Sequence, residues 1–497
     1  MIRDLRDFIS VCDHHGMLHR IDAAVDWRLE LSHVAKVSEE SRGPALLFEN
    51  VKDSTIPVFT SAFATSERMA LCLGEDPRLS IAELSRRWMQ RLRREWIAPE
   101  VTNDVPVMEN VLTGDGIDVT RFPAPWFYPR DGGRYFGTAV YSVCRDPDTG
   151  WTNLGTYRMQ TQARDAVSVM MLRGKHGQLI RRKYVERGQR MPFAAVIGGD
   201  PALFLMGSIQ SGVGVSEYEI AGALRGEPVP VFVSELTGLT LPARAEIILE
   251  GYLDSEDLRS EGPLGEYTGY YSSTRSSDGA GMEPTLKVER ILHRNDPIFW
   301  STTVGKPVND IHVFQSLNRS ATLWHDLETM KIPGIRAVYV PPEACGWFWA
   351  VISVKQMYPG HSSQVANAAI GTSTGHYALK GVIVVDEDID VEDWNQVWWA
   401  LSTRFDPRRC IQIIDRGRST PLDPSLPRDS RYIMSRVIMD ACTPFEWEDK
   451  PVQVFMDRDT LGLVSSRWEE YGFRGENPVA GMIERLSENL DVQQGGE

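Results

Sequence analysis

Between about residues 135 and 305 the chain runs as short β-forming stretches broken by turns, and this rhythm limits the possible folds more than any other feature of the sequence. Residues 136–143, 194–197, 245–249 and 286–292 are each rich in Val, Ile, Leu, Ala or aromatic side chains. Spaced in this way they predict a mainly antiparallel sheet or barrel rather than a βαβ series. After about residue 310 the pattern changes. Residues 350–354 and 381–385 read as buried strands, 362–370 between them as a helix, and 394–401 as a second helix, which is α/β layering. The first hundred residues mix both signals. There, 84–95 has apolar residues at helical spacing and reads as an amphipathic surface helix with a solvated arginine face. Pro99, Pro106, Pro123 and Pro125 place a boundary near residue 110. The expected organisation is a mixed α/β region over 1–110, a β domain over 111–310, an α/β domain over 311–455 and a tail over 456–497. The last residues of that tail, Gln493 to Glu497, read as disordered. The aromatic groups Trp347/Phe348/Trp349 and Trp394/Trp398/Trp399 read as packing or as an oligomer interface.

Composition excludes several function classes. A net charge of −15, from 53 basic and 68 acidic residues, opposes a nucleic-acid-binding surface, which needs concentrated Lys and Arg. No run of 18 apolar residues exists to span a membrane, and the N-terminus lacks the apolar core of a signal peptide. The six cysteines are far apart and form no CxxC pair, so free thiols in a reducing cytoplasm are expected.

The densest chemistry lies in Glu261-Gly-Pro-Leu-Gly-Glu266-Tyr-Thr-Gly. On a strand, a separation of five points two carboxylates to opposite faces, and on a helix it leaves them roughly 140° apart. An irregular turn of the kind glycine and proline permit can aim both at one point. Two carboxyls sharing a sheltered pocket do not both ionise easily, so one becomes a candidate general acid. The same segment also reads as a polar surface loop. Upstream, 216–228 reads as a short helix with Ser216 as N-cap, Glu219 completing a capping box and Gly226 ending it. The small-residue loop 207–214 feeds its N-terminus, which makes a candidate anion site.

Signatures of P-loop, HExxH, GxSxG and Rossmann proteins are absent. What remains is an ordered set: Trp151-Thr-Asn153-Leu-Gly155-Thr156-Tyr157-Arg158, then His176, then Glu217, then Glu261 and Glu266. In this combination the chain resembles the UbiD-type decarboxylases, which use prenylated FMN, and the resemblance runs over nearly its whole length. It implies a mixed α+β fold, with a flavin-binding split β-barrel and a C-terminal α/β domain for assembly into a homodimer or higher oligomer. It implies that Asn153, His176 and Glu217 hold a divalent metal bridging to the cofactor phosphate. Oxygen donors with one imidazole suit Mn²⁺ or Mg²⁺. A potassium ion is implied beside it, at Trp151, Gly207, Ser208 and Glu217. The cofactor contacts implied are Asn153, Gly155, Thr156, Tyr157, Arg158, Lys175, His176, Ser208, Glu217 and Lys380.

Catalysis is assigned by the same resemblance to Arg158, Glu261 and Glu266, with Glu266 as proton donor and Glu261 orienting Arg158. The cofactor would take up the electrons left by CO₂, and a prenyl-flavin-synthesising enzyme would supply it. Residues 420–422 are the expected substrate wall. The implied activity is reversible, non-oxidative decarboxylation of an aromatic or heteroaromatic carboxylic acid. A cinnamate-type acid is the alternative within the class, and a plain FMN oxidoreductase or a flavin-storage protein the alternatives outside it.

Overall fold

A computed structural model describes residues 2–209, 211–272, 280–454, 456–475, 477–479 and 481–483. Residues 493–497, read as a disordered tail end, lie outside the described residues.

The β-rich middle folds as one curled sheet of nine strands. Its order is Tyr135–Gly137, Met159–Ala163, Ala166–Val169, Gly281–His293, Ile247–Glu261, Met191–Ile197, Val140–Arg145 and Thr152–Gly155, with Asn110–Leu112 pairing alongside Gly281–His293. The resolved ladders between these strands are antiparallel, as expected of a split barrel. The run 136–143 departs from the sequence reading: it is two strands, broken at Thr138 and Ala139, and each pairs with a different neighbour. A Cβ on Gly137 would lie 2.7 Å from Val140 Cγ1 and 3.1 Å from Met159 Cβ, so the break packs too closely for a side chain there. The 245–249 stretch is the start of a much longer strand, Ile247–Glu261. Its first residues are buried on both faces, whereas Asp254 to Ser260 alternates with solvent, and Glu261 returns inside as its last residue. That polar second half hid the strand from a reading based on apolar runs.

Before it, Leu18–Ile21, Ala45–Phe48 and Val58–Thr60 form a small sheet that Phe299–Trp300 completes, pairing parallel to Val58–Thr60. Trp300, Phe63, Phe204 and Phe314 interlock edge-to-face and tilted across this junction, tying the N-terminal layer to the barrel. The arginine-rich helix is Ile81–Leu92, closed by a capping box between Ser80 and Glu83. Its apolar stripe, Leu84, Trp88 and Met89, is buried and packs toward the helix Asp310–Thr329. Arg87 and Arg91 share Glu75, and Arg93 pairs with Glu328, so its basic face is partly neutralised.

The C-terminal layer is a five-stranded sheet in the order Ile335–Tyr339, Trp349–Val354, Gly381–Asp386, Ile433–Ala441 and Ile411–Arg418. The helices His361–Gly371 and Trp394–Thr403 fall where the sequence placed them. No helix among the described residues is long and apolar enough to cross a membrane, and all six cysteines are unpaired.

Candidate active site

Glu261 closes its strand facing inward with no exposed surface, and the next peptide, Gly262–Pro263, is cis with Gly262 at φ 88°. The turn that follows is fastened from its neighbours. Gly262 N donates to Gln160 Oε1 at 2.8 Å, Gly265 N to Asp131 Oδ1 at 2.9 Å, and the Tyr135 hydroxyl to Pro263 O at 3.0 Å. Gly132 N reaches Pro263 O at 2.7 Å, and a Cβ on Gly132 would stand 2.0 Å from Gly262 O, so only glycine fits there. This scaffold brings both carboxylates to one guanidinium. Arg158 Nε and Nη2 donate to the two oxygens of Glu261 at 2.8 Å each, and Nη1 donates to Glu266 Oε1. The expected pair of converging acids is therefore present, with an arginine between them. Burial works against the Arg158 charge, but Glu261 and Glu266 outweigh it and raise its pKa well above the usual value. The guanidinium stays charged.

A second centre forms at the start of the helix Glu217–Arg225. The Glu217 carboxylate is buried and accepts from Leu154 N at 2.9 Å, Asn153 Nδ2 at 3.1 Å and Ser211 Oγ at 2.6 Å. Burial still dominates and pushes its pKa up to about 7. The capping box expected here is absent: Ser216 is the N-cap but makes no side-chain cap bond, and Glu219 N bonds the Ser216 carbonyl. The Glu217 carboxylate draws its donors from Leu154, Asn153 and Ser211, outside its own helix. His176 opens its own helix, half-buried, with its ring 5.0 Å from that of Trp151. Burial and then Lys175 lower its pKa, which favours the neutral imidazole.

Asn153, Gly155, Thr156, Tyr157, Lys175, His176, Gly207, Ser208, Ser211 and Glu217 line one small cavity. Most of the expected cofactor and metal residues thus meet, and three stand apart. Trp151 does not line this cavity; its indole N–H donates to Val215 O at 2.8 Å and its carbonyl accepts from Asp146 N. Arg158 lies with the two glutamates. Lys380 is held by Asp423 Oδ1 at 2.9 Å and Ser425 Oγ at 2.6 Å, 4.8 Å above the Phe348 ring. Tyr157 lines the cavity as a strut: its ring is clamped between Gly155 and Gly177, and its hydroxyl accepts from Gly177 N at 2.8 Å. Ser208 Oγ is shared between Leu205 O and Asn318 Nδ2.

Between the glutamates and the C-terminal layer stands an apolar wall of Met170, Tyr267, Val304, Phe348, Tyr377 and Leu422. Tyr267 stacks on Phe348 and tilts against Trp347, and its hydroxyl and that of Tyr377 both meet Thr420. The group Trp347/Phe348 therefore belongs to this wall, whereas Trp398 and Trp399 remain exposed on their helix. Lys175 and Arg418 lie over the Tyr377 ring and Arg319 over Trp347, and none of the three makes an ion pair among the described residues. Burial, then Arg319 and Arg418, pull Lys175 down to about 8. Sequence reasoning missed Asp131, Gln160, Ser211 and Arg319. Only the Gly132-Gly133 pair next to Asp131 hinted at a close backbone approach.

Comparison with known proteins decides the family. Models of 3-octaprenyl-4-hydroxybenzoate carboxy-lyase match in three parts: the N-terminal domain over 9–88, the Rift-related domain over 100–307 and the C-terminal domain over 312–441. The chain belongs to the UbiD family of carboxy-lyases. Among solved structures, the vanillic acid decarboxylase of Sedimentibacter hydroxybenzoicus in closed form is 30% identical, covers 99% of each chain and superposes with a TM-score of 0.82. The UbiD-class enzyme HmfF from Pelotomaculum thermopropionicum, in complex with FMN, is 25% identical over 91% of this chain and 97% of its own, with a TM-score of 0.81. An evolved dimeric form of HmfF is known in complex with prFMN. The 3,4-dihydroxybenzoic acid decarboxylase of Enterobacter cloacae is 26% identical over 95% of this chain and all of its own, with a TM-score of 0.78. The mixed fold and the carboxy-lyase class expected from the sequence both stand.

Proposed function

We propose that this UbiD-family chain decarboxylates an aromatic or heteroaromatic carboxylic acid with prenylated FMN and a divalent metal. The observation that carries the reading is the Arg158 fork, which binds both glutamates beside an aromatic wall and next to the Asn153/His176/Glu217 cavity. Vanillic and 3,4-dihydroxybenzoic acid decarboxylases among the similar structures, and the flavin-bound HmfF, support the same class.

The donor set fits a metal and a phosphate. Among the described residues no three His, Cys, Asp or Glu side chains cluster, so any ion relies on Asn153 as well. Glu217 is buried with a raised pKa, and a cation would restore its charged form. His176 favours the neutral, ligating imidazole. Asn153 turns its amide N–H toward Glu217, so it serves a cation only with the amide reversed to present oxygen. Mn²⁺ or Mg²⁺ suits these donors, with K⁺ at Ser208 and Glu217. Lys175, Arg319 and Arg418 add unpaired positive charge that favours an anionic cofactor and an acid substrate.

When bound, the prenylated flavin supplies the electron sink for the bonding pair left as CO₂ departs. The chain's own residues do the rest. Tyr267, Phe348 and Leu422 hold the flat ring and keep water out. Both oxygens of Glu261 are committed to Arg158, which fixes the guanidinium plane. Glu266 delivers a proton to the ring carbon that lost CO₂ and recovers one from solvent afterwards, so the carboxyl is replaced by hydrogen. Assembly as a homo-oligomer in the cytoplasm, with a prenyl-flavin-synthesising partner, completes the reading.

Protein produced with a prenyl-flavin supply tests it by flavin mass, metal content and CO₂ release from a panel of benzoates, pyrrole and indole carboxylates. Unmodified FMN in fully active protein, or no CO₂ from any acid by prenylated protein, overturns it.

A further inference from the structure

Arg158 faces a third carboxylate that the two-glutamate account does not use. Asp131 is 4% exposed and sits in the loop just before the strand Tyr135–Gly137. Its Oδ1 accepts from Gly265 N at 2.9 Å, the peptide N–H immediately before Glu266, and its Oδ2 accepts from Tyr128 N at 2.9 Å. The Tyr271 hydroxyl bonds the same carboxylate, and Asp131 N closes the loop onto Tyr128 O at 3.0 Å. Arg158, Glu261, Asp131 and Glu266 all act electrostatically on the buried Tyr135, with the Arg158 guanidinium 5.9 Å from its ring. Among the described residues Arg158 pairs with Glu261 and Glu266, and the buried Asp131 carboxylate feels the same guanidinium. Among the described residues, the other titratable groups nearby are Tyr128, Tyr267 and Tyr271, whose pKa values burial raises, and the exposed Arg130 stacked on Tyr271.

We propose that Asp131 is a positioning residue that fixes the backbone of Glu266 and, by its negative charge, keeps the Glu266 proton in place until it is needed. Both effects come from one side chain. The bond to Gly265 N sets where the Glu266 side chain starts, and a like charge in the same shielded pocket makes ionisation of Glu266 harder. Gln160 offers an internal comparison. It holds the other end of the turn, at Gly262 N, with a neutral amide.

The inference rests on the proposed role of Glu266, so the experiment separates the two. The rate of CO₂ release is measured against pH for wild type, Asp131→Asn, Gln160→Ala and Tyr271→Phe, each corrected to equal prenylated-flavin occupancy. Asp131→Asn is expected to lower kcat by about 10–100-fold with little change in KM, since misplacement of a catalytic group by ~1 Å has an effect of that order. Its alkaline limb should move to lower pH by roughly one unit, the size of one like charge removed from a partly screened interior. Gln160→Ala should slow turnover without moving that limb. Tyr271→Phe keeps both backbone bonds to Asp131 and removes one donor from its charged form, so Asp131 ionises less and the limb should shift in the same direction by less. An unmoved limb in Asp131→Asn and Tyr271→Phe, or an equal shift in Gln160→Ala, overturns the inference. Should Asp131→Asn fail to fold, Tyr271→Phe against Gln160→Ala decides it alone. If Glu266→Gln is as active as wild type, the proposed role of Glu266 fails instead.

Discussion

Replacing Arg158 by lysine keeps the charge and removes the fork, which isolates what the guanidinium geometry contributes. In the native site three donors are committed at once: Nε and Nη2 to Glu261, each at 2.8 Å, and Nη1 to Glu266. A lysine ammonium is a point donor and can serve one of these carboxylates well. The other is left in a pocket where Glu261 has no exposed surface and Glu266 is 6% exposed. Breaking a buried pair in this way costs about 3–5 kcal/mol, because the stranded charge is no longer compensated. Part of that cost is relieved by proton uptake, so the loss should grow as pH rises. Turnover should fall at least about 10²-fold, since Glu266 loses the bond that fixes its reach. The assay is CO₂ release at saturating acid with flavin content measured on the same sample, beside thermal unfolding at pH 6 and pH 8. Arg158→Lys should melt lower than wild type, with the larger gap at pH 8. Wild-type turnover together with an unchanged melting temperature at both pH values would show that the guanidinium fork contributes nothing a lysine cannot.

Three further outcomes are expected. His176→Ala should lose divalent metal and flavin together, read by metal analysis and absorbance of the purified protein, because removing one of so few donors typically weakens such a site about 10–100-fold or more. Glu261→Gln should keep flavin and lose turnover, since a carboxamide offers one acceptor where Arg158 now uses two oxygens; retained turnover would show that the fork is not needed. Away from the site, burial and then Asp310 push the Glu39 carboxyl up to about 8, where it bonds Ser61 and Thr303 between the N-terminal layer and the barrel. The folded state therefore holds a proton that the unfolded chain releases, and stability falls as pH rises from about 4.5 to about 8. Glu39→Gln should flatten that slope by at most about 5 kcal/mol across the window, read as melting temperature against pH.

The turn between Glu261 and Glu266 was legible because its cause is local. Glycine and proline between Glu261 and Glu266 forbid regular structure, and the cis Gly262–Pro263 bend is the kind of irregularity they permit. The antiparallel middle and the layered C-terminal third were legible from hydrophobic period, which survives wherever a strand is buried on one or both faces. The partners that hold the site were not. Gly265 N meets Asp131 across 134 residues, and Gly262 N meets Gln160 across 102, and no short-range pattern records such pairings. Ser216 carries the residue type of a capping serine, yet its side chain makes no cap bond, and the buried Glu217 beside it is met by Leu154 N from 63 residues away. Lys380 sits where a cofactor lysine is expected at a strand start, but Asp423 and Ser425, more than forty residues on, hold it in place. Tyr157 lines the cavity as expected of a cofactor contact and is also a strut, which only the glycines on either side of its ring reveal.

The role proposed for Glu266, donor of the proton that replaces CO₂, is tested by comparing wild type with a single variant. Wild type and Glu266→Gln are loaded with prenylated FMN to the same occupancy, and CO₂ release is followed from an aromatic acid that wild type decarboxylates. Glu266→Gln is expected to keep its flavin and metal and to lose turnover by about 10²–10⁴-fold, the range for removal of a positioned proton donor. Near-normal turnover in Glu266→Gln at full cofactor occupancy would contradict it.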